Sequence, residues 1–303
     1  MEKIDIGKIK REVNLVEVAG LYGYRINKQK TSQSSVNLKS DVDSLILKKD
    51  ENGHWVYFNV HNASDKGSIL DFVMVRQPGL VFQEVLRKIS EDYFGKILAV
   101  PKEMRGMQVK PIKKNRKYIT NLYRNLTPLQ ASDYLNRRGI DNQILLSKRF
   151  AGTVLEDNYH NVIFPHNDEA GVCGFEKRNV NFKGFPKGGT KSLWLSNRFR
   201  HDTRLMVVEG GIDALSHYVL YQDKSIRYLS IGGEPSPNAW TLAIKVIEKF
   251  HKQGGEIVSG VDNDPGGDKL DQKLRSKTTI AIKRERPMKN DWNDVLKDQL
   301  TVK

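Results

Sequence analysis

The chain has 303 residues, of which 38% are apolar and 28% charged, so it is expected to be a soluble globular protein of about two domains, not a disordered one. No apolar run approaches the roughly 20 residues of a membrane span. The charged N-terminus lacks the apolar stretch of a secretory signal, so we expect a cytoplasmic protein. The net charge of +14 favours a polyanionic partner such as nucleic acid over a merely basic soluble protein.

Cys173 is the single cysteine, which excludes an internal disulfide and a cysteine-rich zinc site. The seven histidines show no metal-ligand spacing. Any metal ion must therefore be bound mostly by oxygen ligands, which suit magnesium, manganese or calcium.

Residues 1–95 are predicted to form a small α+β domain. Apolar residues recur with helical spacing over residues 8–21. Two strands are predicted at 43–49 and 54–60, joined by a turn that contains Asn-Gly. Two further helices are predicted over 68–76 and 80–90.

A basic segment at 96–117, rich in Lys, Arg and Pro, is predicted to be a linker. It is either a solvated tether or a tether that binds phosphates, and the sequence leaves both open. The α+β segment at 118–200 follows. Its Thr-Pro pair at 127–128 predicts a helix start, because proline is favoured at the first helical position, and a second helix is predicted over 141–149.

Residues 201–303 alternate four apolar strands with four helices, a pattern typical of a mostly parallel sheet flanked by helices. The predicted strands are 205–208, 227–231, 256–261 and 278–283. The predicted helices are 211–221, 237–252, 267–275 and 291–299.

Carboxylates follow three of these strands. Glu209 ends the first strand, Asp262 and Asp264 end the third, and Asp291 opens the last helix. Because ligands bind at the carboxyl ends of parallel strands, we expect these acids to lie close together, with Asp213 on the helical turn after Glu209. Like charges buried together need a cation to neutralise them. The pattern therefore predicts a site for Mg²⁺ or Mn²⁺, although Asp213 and Asp291 are also typical of acids that stabilise a helix N-terminus.

The segments VVEGGIDALS at 207–216 and VDNDPGGDKLDQKLR at 261–275 resemble the TOPRIM domain, which bacterial-type primases, topoisomerases and some nucleases share. KNDWNDVL at 289–296 resembles the third acidic element of that domain, whose second acid falls on Asn293 or Asp294. The resemblance implies catalytic carboxylates at Glu209, Asp262 and Asp264. It implies metal ligands at Glu209, Asp213, Asp262, Asp264, Asp268 and Asp291.

The segment before the TOPRIM-like region resembles the start of the bacterial primase core, in YLNRRGIDNQILLSKRFAGTV at 134–154. VIFPHNDEAGVCGFEKRN at 162–179 resembles the primase segment whose basic residues face template and nucleotide. The resemblance implies that four basic residues bind these substrates: Arg178, Lys191, Lys177 and Lys183. The alternative is that they are surface residues of hairpin strands.

The N-terminal domain resembles the zinc-binding domain that precedes bacterial primase cores, over residues 16–28 and 53–89. The cysteines of that domain are absent, and His54 and His61 alone do not make a four-ligand site, so no zinc is expected. Three aromatic residues are expected to pack in a core, with base stacking as the alternative: Trp55, Tyr57 and Phe58.

Together these features predict an α/β protein that acts as a DNA primase, a nucleotidyltransferase that makes short primers on single-stranded DNA from nucleoside triphosphates. A helicase or another replication protein is a possible partner, and no membrane is expected. Since the chain ends at Lys303 without a helicase-docking domain, we expect an accessory primase of a plasmid, phage or other mobile element. The alternatives are a TOPRIM metal-dependent nuclease and a non-catalytic DNA-binding relative.

Overall fold

The computed structural model describes residues 6–50, 52–62, 64–93, 100–111 and 113–301. The chain divides into two compact units, residues 1–113 and residues 114–303. The segments predicted as separate domains at 118–200 and 201–303 thus share one compact unit. Within the described ranges, every helix is too short or too polar to cross a lipid bilayer.

The helices of the described residues are α1 (Ile6–Glu12), α2 (Leu15–Leu21), α3 (Ile69–Arg76), α4 (Phe82–Tyr93), α5 (Arg116–Tyr123), α6 (Asp133–Asn136), α7 (Asn142–Leu146), α8 (Gly211–Tyr221), α9 (Pro237–His251), α10 (Pro265–Arg275) and α11 (Trp292–Thr301). The strands are β1 (Arg25–Ile26), β2 (Val36–Lys39), β3 (Ser44–Lys49), β4 (Trp55–Asn59), β5 (Lys66–Ser68), β6 (Thr127–Pro128), β7 (Leu155–Glu156), β8 (Val162–Asp168), β9 (Gly171–Asn179), β10 (Phe182–Gly184), β11 (Trp194–Leu195), β12 (Arg204–Val208), β13 (Ile226–Ser230), β14 (Glu256–Ser259) and β15 (Ile282–Arg284).

The first unit contains an antiparallel sheet in the order β1-β2-β3-β4-β5. The predicted hairpin is confirmed, because β3 and β4 pair in antiparallel register with Ile46 opposite Phe58. The single helix predicted over 8–21 is wrong, since the chain forms α1 and α2 instead. Asn14 separates them by accepting a hydrogen bond from the Val16 amide at 3.1 Å, which caps α2.

A buried polar cluster joins β4 to α3 in this unit. The carboxylate of Asp65 accepts hydrogen bonds from the Tyr57 hydroxyl at 2.5 Å and from Arg76 at 3.0 Å. Trp55 and Tyr57 are buried, which confirms their predicted packing role, whereas Phe58 is exposed on the other face of the sheet. Removal of one partner of this buried ion pair would strongly destabilise the unit, because the other charge would remain buried without compensation.

The predicted linker does not behave as a solvated tether over residues 100–109. Val100, Met104 and Val109 are buried in the core of the first unit, and Asn14 donates a hydrogen bond to the Met107 carbonyl. Three spaced apolar residues are therefore enough to dock a segment that is otherwise strongly basic. Residues 96–99 and 112 of the predicted linker lie outside the described residues.

The second unit begins with an antiparallel sheet in the order β10-β9-β8-β7-β6. The helix start predicted at Thr127-Pro128 is wrong, because these residues form the edge strand β6 and pair with Leu155 and Glu156. Proline is tolerated on a sheet edge, where its missing N–H leaves no ladder bond unmade. The helix begins later, where the hydroxyl of Ser132 accepts a hydrogen bond from the Leu135 amide and caps α6.

The second sheet of this unit has the order β11-β13-β12-β14-β15, and its four later strands are parallel. This arrangement agrees with the predicted strand–helix alternation, with β11 added as an antiparallel edge strand. The strand predicted over 278–283 is shorter, since only residues 282–284 pair with β14. Helices α8 and α11 pack together beside this sheet, and the Trp292 indole donates a hydrogen bond to the Gly260 carbonyl at 2.7 Å.

Candidate active site

A polar pocket of 220 Å³ lies where β12 and β14 end. Its lining combines acidic and basic side chains, which come from both sheets of the second unit. The acids are Glu176, Glu209, Asp213, Asp262 and Asp291. The basic residues are Arg138, Arg178, Lys183 and Lys191. We refer to this site as the acidic pocket.

Three of the acids are held by backbone amides. The Glu209 carboxylate accepts a hydrogen bond from the Asp262 amide at 3.3 Å, which ties the end of β12 to the end of β14. Asp213 accepts from the Gly210 amide at 2.9 Å, and Asp291 accepts from the Asp294 amide at 2.6 Å. Asp213 and Asp291 therefore stabilise helix N-termini, which is the alternative role that the sequence indicated for them. Both also line the acidic pocket.

Asp262 lies in the loop between β14 and α10, which packs tightly. A Cβ atom at Gly267 would lie 2.0 Å from the Asp262 carbonyl oxygen, so only glycine fits at that position. Arg284 donates to the same carbonyl at 2.8 Å. The carboxylate oxygen Oδ1 of Asp262 is buried and has no hydrogen-bond partner in the part of the chain that the structure describes.

The electrostatics of the acidic pocket favour a cation. Burial raises the pKa of Asp262 to about 8, and repulsion from Asp213 and Glu209 adds to this effect. Burial also raises the pKa of Asp213 to about 7, with a further contribution from Asp291. The pKa of Glu209 is raised by burial as well. A divalent ion would lower all three pKa values, because an opposite charge stabilises the ionised carboxylates.

The donor set fits a magnesium or manganese ion. Within the described residues, the acids lie around the pocket wall and no three of them converge closely enough to hold a metal as they stand. Mg²⁺ needs only one or two protein carboxylates, because water and phosphate oxygens complete its octahedron. The unpartnered oxygen of Asp262 and the carboxylate of Glu209 are the candidates for direct ligands.

Two predicted metal ligands do not line the acidic pocket. Asp264 caps α10 by accepting a hydrogen bond from the Gly267 amide at 2.7 Å. Asp268 forms an ion pair with Arg286 at 2.8 Å. Asp264 still contributes negative charge nearby, since its repulsion helps to raise the pKa of Glu209.

The third acidic element supplies an amide to the pocket. Asn293 lines the pocket and is 1% exposed. Its side chain accepts from the Arg138 guanidinium at 2.7 Å and donates to the Arg138 carbonyl at 2.9 Å and to Ser216 at 3.0 Å. Asp294, the other candidate for this position, lies outside the pocket lining and pairs with Lys297 at 2.7 Å.

Three of the four predicted substrate-binding residues line the acidic pocket, namely Arg178, Lys183 and Lys191. Arg178 and Lys183 are opposite each other in the β9–β10 pair, and Arg178 pairs with Glu176 at 2.8 Å. Burial lowers the pKa of Lys183, with the positive charge of Arg178 adding to the effect. Lys177 is not in the lining and pairs with Asp157 at 2.8 Å.

Two basic residues near the acids were not among the predicted site residues. Arg138 lines the pocket and belongs to the YLNRRG segment, whose resemblance to a primase core was the available signal. Arg284 ends β15 and donates to the carbonyls of Val261 and Asp262. Arg284 lies beside the acids because β15 pairs with β14, and that strand order could not be predicted from the sequence.

Two family models match the second unit. Residues 206–296 match the Toprim-like family, which confirms the TOPRIM prediction for this region. Residues 133–202 match DUF3991, a family described as a protein of unknown function.

The chain is similar to one uncharacterized protein of Bacillus anthracis, at 26% identity over 195 residues. That match includes 55% of this chain and 57% of the relative, so the similarity spans little more than half the length of the relative. Among solved structures, the primase fragment of the bacteriophage T7 primase-helicase is 18% identical, with a TM-score of 0.40, over 63% of this chain and 78% of that one. A complex of the bacteriophage T7 lagging-strand DNA polymerase with primase domains gives 17% identity and a TM-score of 0.38, over 56% of this chain and 87% of that one.

Proposed function

We propose that the chain is a metal-dependent nucleotidyltransferase of the primase type, which makes short primers on single-stranded DNA. The observation that carries this proposal is the shared lining of the acidic pocket, where five carboxylates lie beside four basic side chains. The matched Toprim-like region supports it, because four of the five pocket acids lie between residues 206 and 296, namely Glu209, Asp213, Asp262 and Asp291.

The two charge types have separate roles in the proposed reaction. Glu209 and Asp262 would hold a divalent ion, with Asp213 and Asp291 in support. When bound, such an ion supplies charge neutralisation at a reacting phosphate and activates the attacking hydroxyl. Arg178, Lys183 and Lys191 would bind the triphosphate and the DNA backbone.

The basic residues line the same pocket as the acids, which supports a joint role on one substrate. The guanidinium of Arg138 donates a hydrogen bond to Asn293, and Asn293 also binds the Arg138 carbonyl, so the guanidinium is already partly ordered before it binds a phosphate. The net charge of +14 supports attraction of a nucleic-acid strand, and that attraction falls as salt rises. Magnesium dependence and a DNA template are parts of this proposal.

The experiment is incorporation of labelled nucleoside triphosphates on single-stranded DNA with Mg²⁺ or Mn²⁺. We compare the wild-type protein with Asp262→Asn, which keeps the size of the side chain but removes its charge. The matched control is Asp294→Asn, an identical change at an acid that does not line the pocket. Short labelled products from wild type and control, and none from Asp262→Asn, are the expected result.

Other outcomes contradict the proposal in distinct ways. Degradation of the DNA by wild type but not by Asp262→Asn would assign the acidic pocket to a nuclease. Equal synthesis by Asp262→Asn and wild type would remove the acidic pocket from the reaction. Neither synthesis nor degradation, by a folded wild-type protein, would favour a DNA-binding role without catalysis.

A further inference from the structure

A buried histidine lies beside the acidic pocket and has no part in the proposed reaction so far. His166 in β8 is 2% exposed. Its Nδ1 accepts a hydrogen bond from the Ser192 amide at 2.9 Å, and its ring packs edge-on against Phe185 with ring centres 5.3 Å apart. The ring orientation is therefore fixed on two sides.

These contacts determine the protonation of the ring. Nδ1 accepts a hydrogen bond and so carries no proton, and burial lowers the pKa of His166 to about 4. At neutral pH the ring is uncharged, and its one proton is on Nε2. Within the described residues, no protein group accepts a hydrogen bond from that Nε2–H.

His166 lines a cavity of 210 Å³ that shares four lining residues with the acidic pocket. Both are lined by Glu176, Lys183, Lys191 and Gly232. Gly232 has a φ of +71°, and a Cβ atom there would lie 2.6 Å from Cε1 of His166. Glycine at this position therefore leaves the space that the imidazole ring occupies.

The cavity offers one neutral donor and one carboxylate acceptor. Glu176 pairs with Arg178 through Oε1 at 2.8 Å, while its second oxygen accepts no hydrogen bond from the described residues. An ionised phosphate oxygen has no proton to donate to the Glu176 carboxylate, and its negative charge is repelled by that carboxylate. A hydroxyl group can accept from the imidazole and donate to the carboxylate at the same time.

We propose that His166 and Glu176 bind a hydroxyl group of the nucleotide sugar, and that this contact makes the protein distinguish nucleotides by their sugar. The inference rests on the proposed function, because it assumes that the acidic pocket takes a nucleotide. Lys183 and Lys191 bind the phosphates in this arrangement, while the uncharged histidine reads an uncharged group. Replacing a bound hydroxyl by hydrogen leaves a donor and an acceptor without partners, which lowers affinity.

The test measures the binding of ATP, 2′-deoxy-ATP and 3′-deoxy-ATP to the full chain with Mg²⁺, by isothermal titration calorimetry. His166→Asn places an amide oxygen near the position of Nδ1, so the bond from Ser192 is kept while the Nε2 donor is lost. His166→Gln extends its amide to the position of Nε2 and restores a donor. His160→Asn is the matched control, because the His160 side chain is 88% exposed.

The wild type is expected to bind ATP about tenfold more tightly than one of the two deoxy analogues, which is the worth of one net hydrogen bond. His166→Asn should abolish that ratio, His166→Gln should keep part of it, and His160→Asn should leave it unchanged. Thermal melting of each variant checks that it is folded. If His166→Asn does not fold, the comparison of His166→Gln with wild type still tests the inference.

Three results would overturn the inference. The wild type binds all three nucleotides equally, or it binds none of them, or His166→Asn weakens all three by the same factor, which would assign His166 to a phosphate. Sugar discrimination that depends on His166, in a protein that makes no primer, supports the inference while rejecting the proposed function. The two proposals therefore fail by different measurements.

Discussion

Substitution of Asp262 by asparagine should stabilise the metal-free protein while removing its response to Mg²⁺. The pKa of Asp262 is raised from 3.8 to about 8, mainly by burial and then by the neighbouring acids. A carboxyl group with a raised pKa contributes stability at low pH, and the protein loses that stability as the pH rises from about 4 to about 8. Asparagine carries no charge at any of these pH values.

The size of the effect follows from this difference in pKa. At pH 7 the loss linked to Asp262 is at most about 4 kcal/mol, at roughly 1.4 kcal/mol per pH unit. Because Asp262 is only partly buried, solvent screening reduces the expected value to about 2 kcal/mol. For a unit of this size, that corresponds to a rise in melting temperature of about 4–8 °C.

The assay is thermal melting of wild type and Asp262→Asn at pH 5 and pH 7.5, with EDTA or with Mg²⁺. In EDTA the variant should melt higher than wild type at pH 7.5, and its advantage at pH 5 should be only about a third as large. Mg²⁺ should raise the melting temperature of wild type more at pH 7.5, because ligand carboxylates must be ionised, and should have little effect on the variant. A variant that melts lower than wild type in EDTA at pH 7.5, or that keeps the full Mg²⁺ response, would refute this reasoning.

Three further changes test other parts of the structure. Lys191→Ala should weaken binding of a labelled single-stranded DNA and reduce by about one unit the slope of log binding constant against log salt concentration. Fluorescence anisotropy measures both, with Lys245→Ala as the control, and equal losses in the two variants would contradict the prediction. Asn293→Ala should lower the free energy of unfolding in urea by about 2–3 kcal/mol, because Arg138 and Ser216 lose hydrogen bonds, whereas Asp294→Ala should change it by under about 0.5 kcal/mol. Arg76→Met should destabilise the first unit by about 3–5 kcal/mol, since Asp65 is left buried without its cation, and an unchanged urea midpoint would refute this.

The periodic parts of the fold could be predicted from the sequence. Apolar runs at 205–208 and 256–261 mark central parallel strands, since such strands are buried on both faces. Local chemistry misled the prediction elsewhere. Proline suits both a helix start and an edge strand, so the Thr-Pro pair at 127–128 was ambiguous without knowledge of its partner β7.

The candidate site was predictable only where chain topology decides it. Glu209 and Asp262 follow neighbouring parallel strands, so strand order brings them together. Asp264 is only two residues after Asp262, but its carboxylate accepts a hydrogen bond from the Gly267 amide in the first turn of α10 and so caps that helix. The contact between Arg138 and Asn293 joins residues 155 positions apart, and no sequence pattern indicates it.

The most direct test of the account is to locate a Mn²⁺ ion in crystals grown with Mn²⁺ and a non-hydrolysable nucleoside triphosphate, using anomalous diffraction. We expect a peak in the acidic pocket, within coordination distance of Glu209 or Asp262, with the nucleotide phosphates next to Arg178 and Lys191. An empty acidic pocket, with the ion and nucleotide bound elsewhere or not at all, would contradict it.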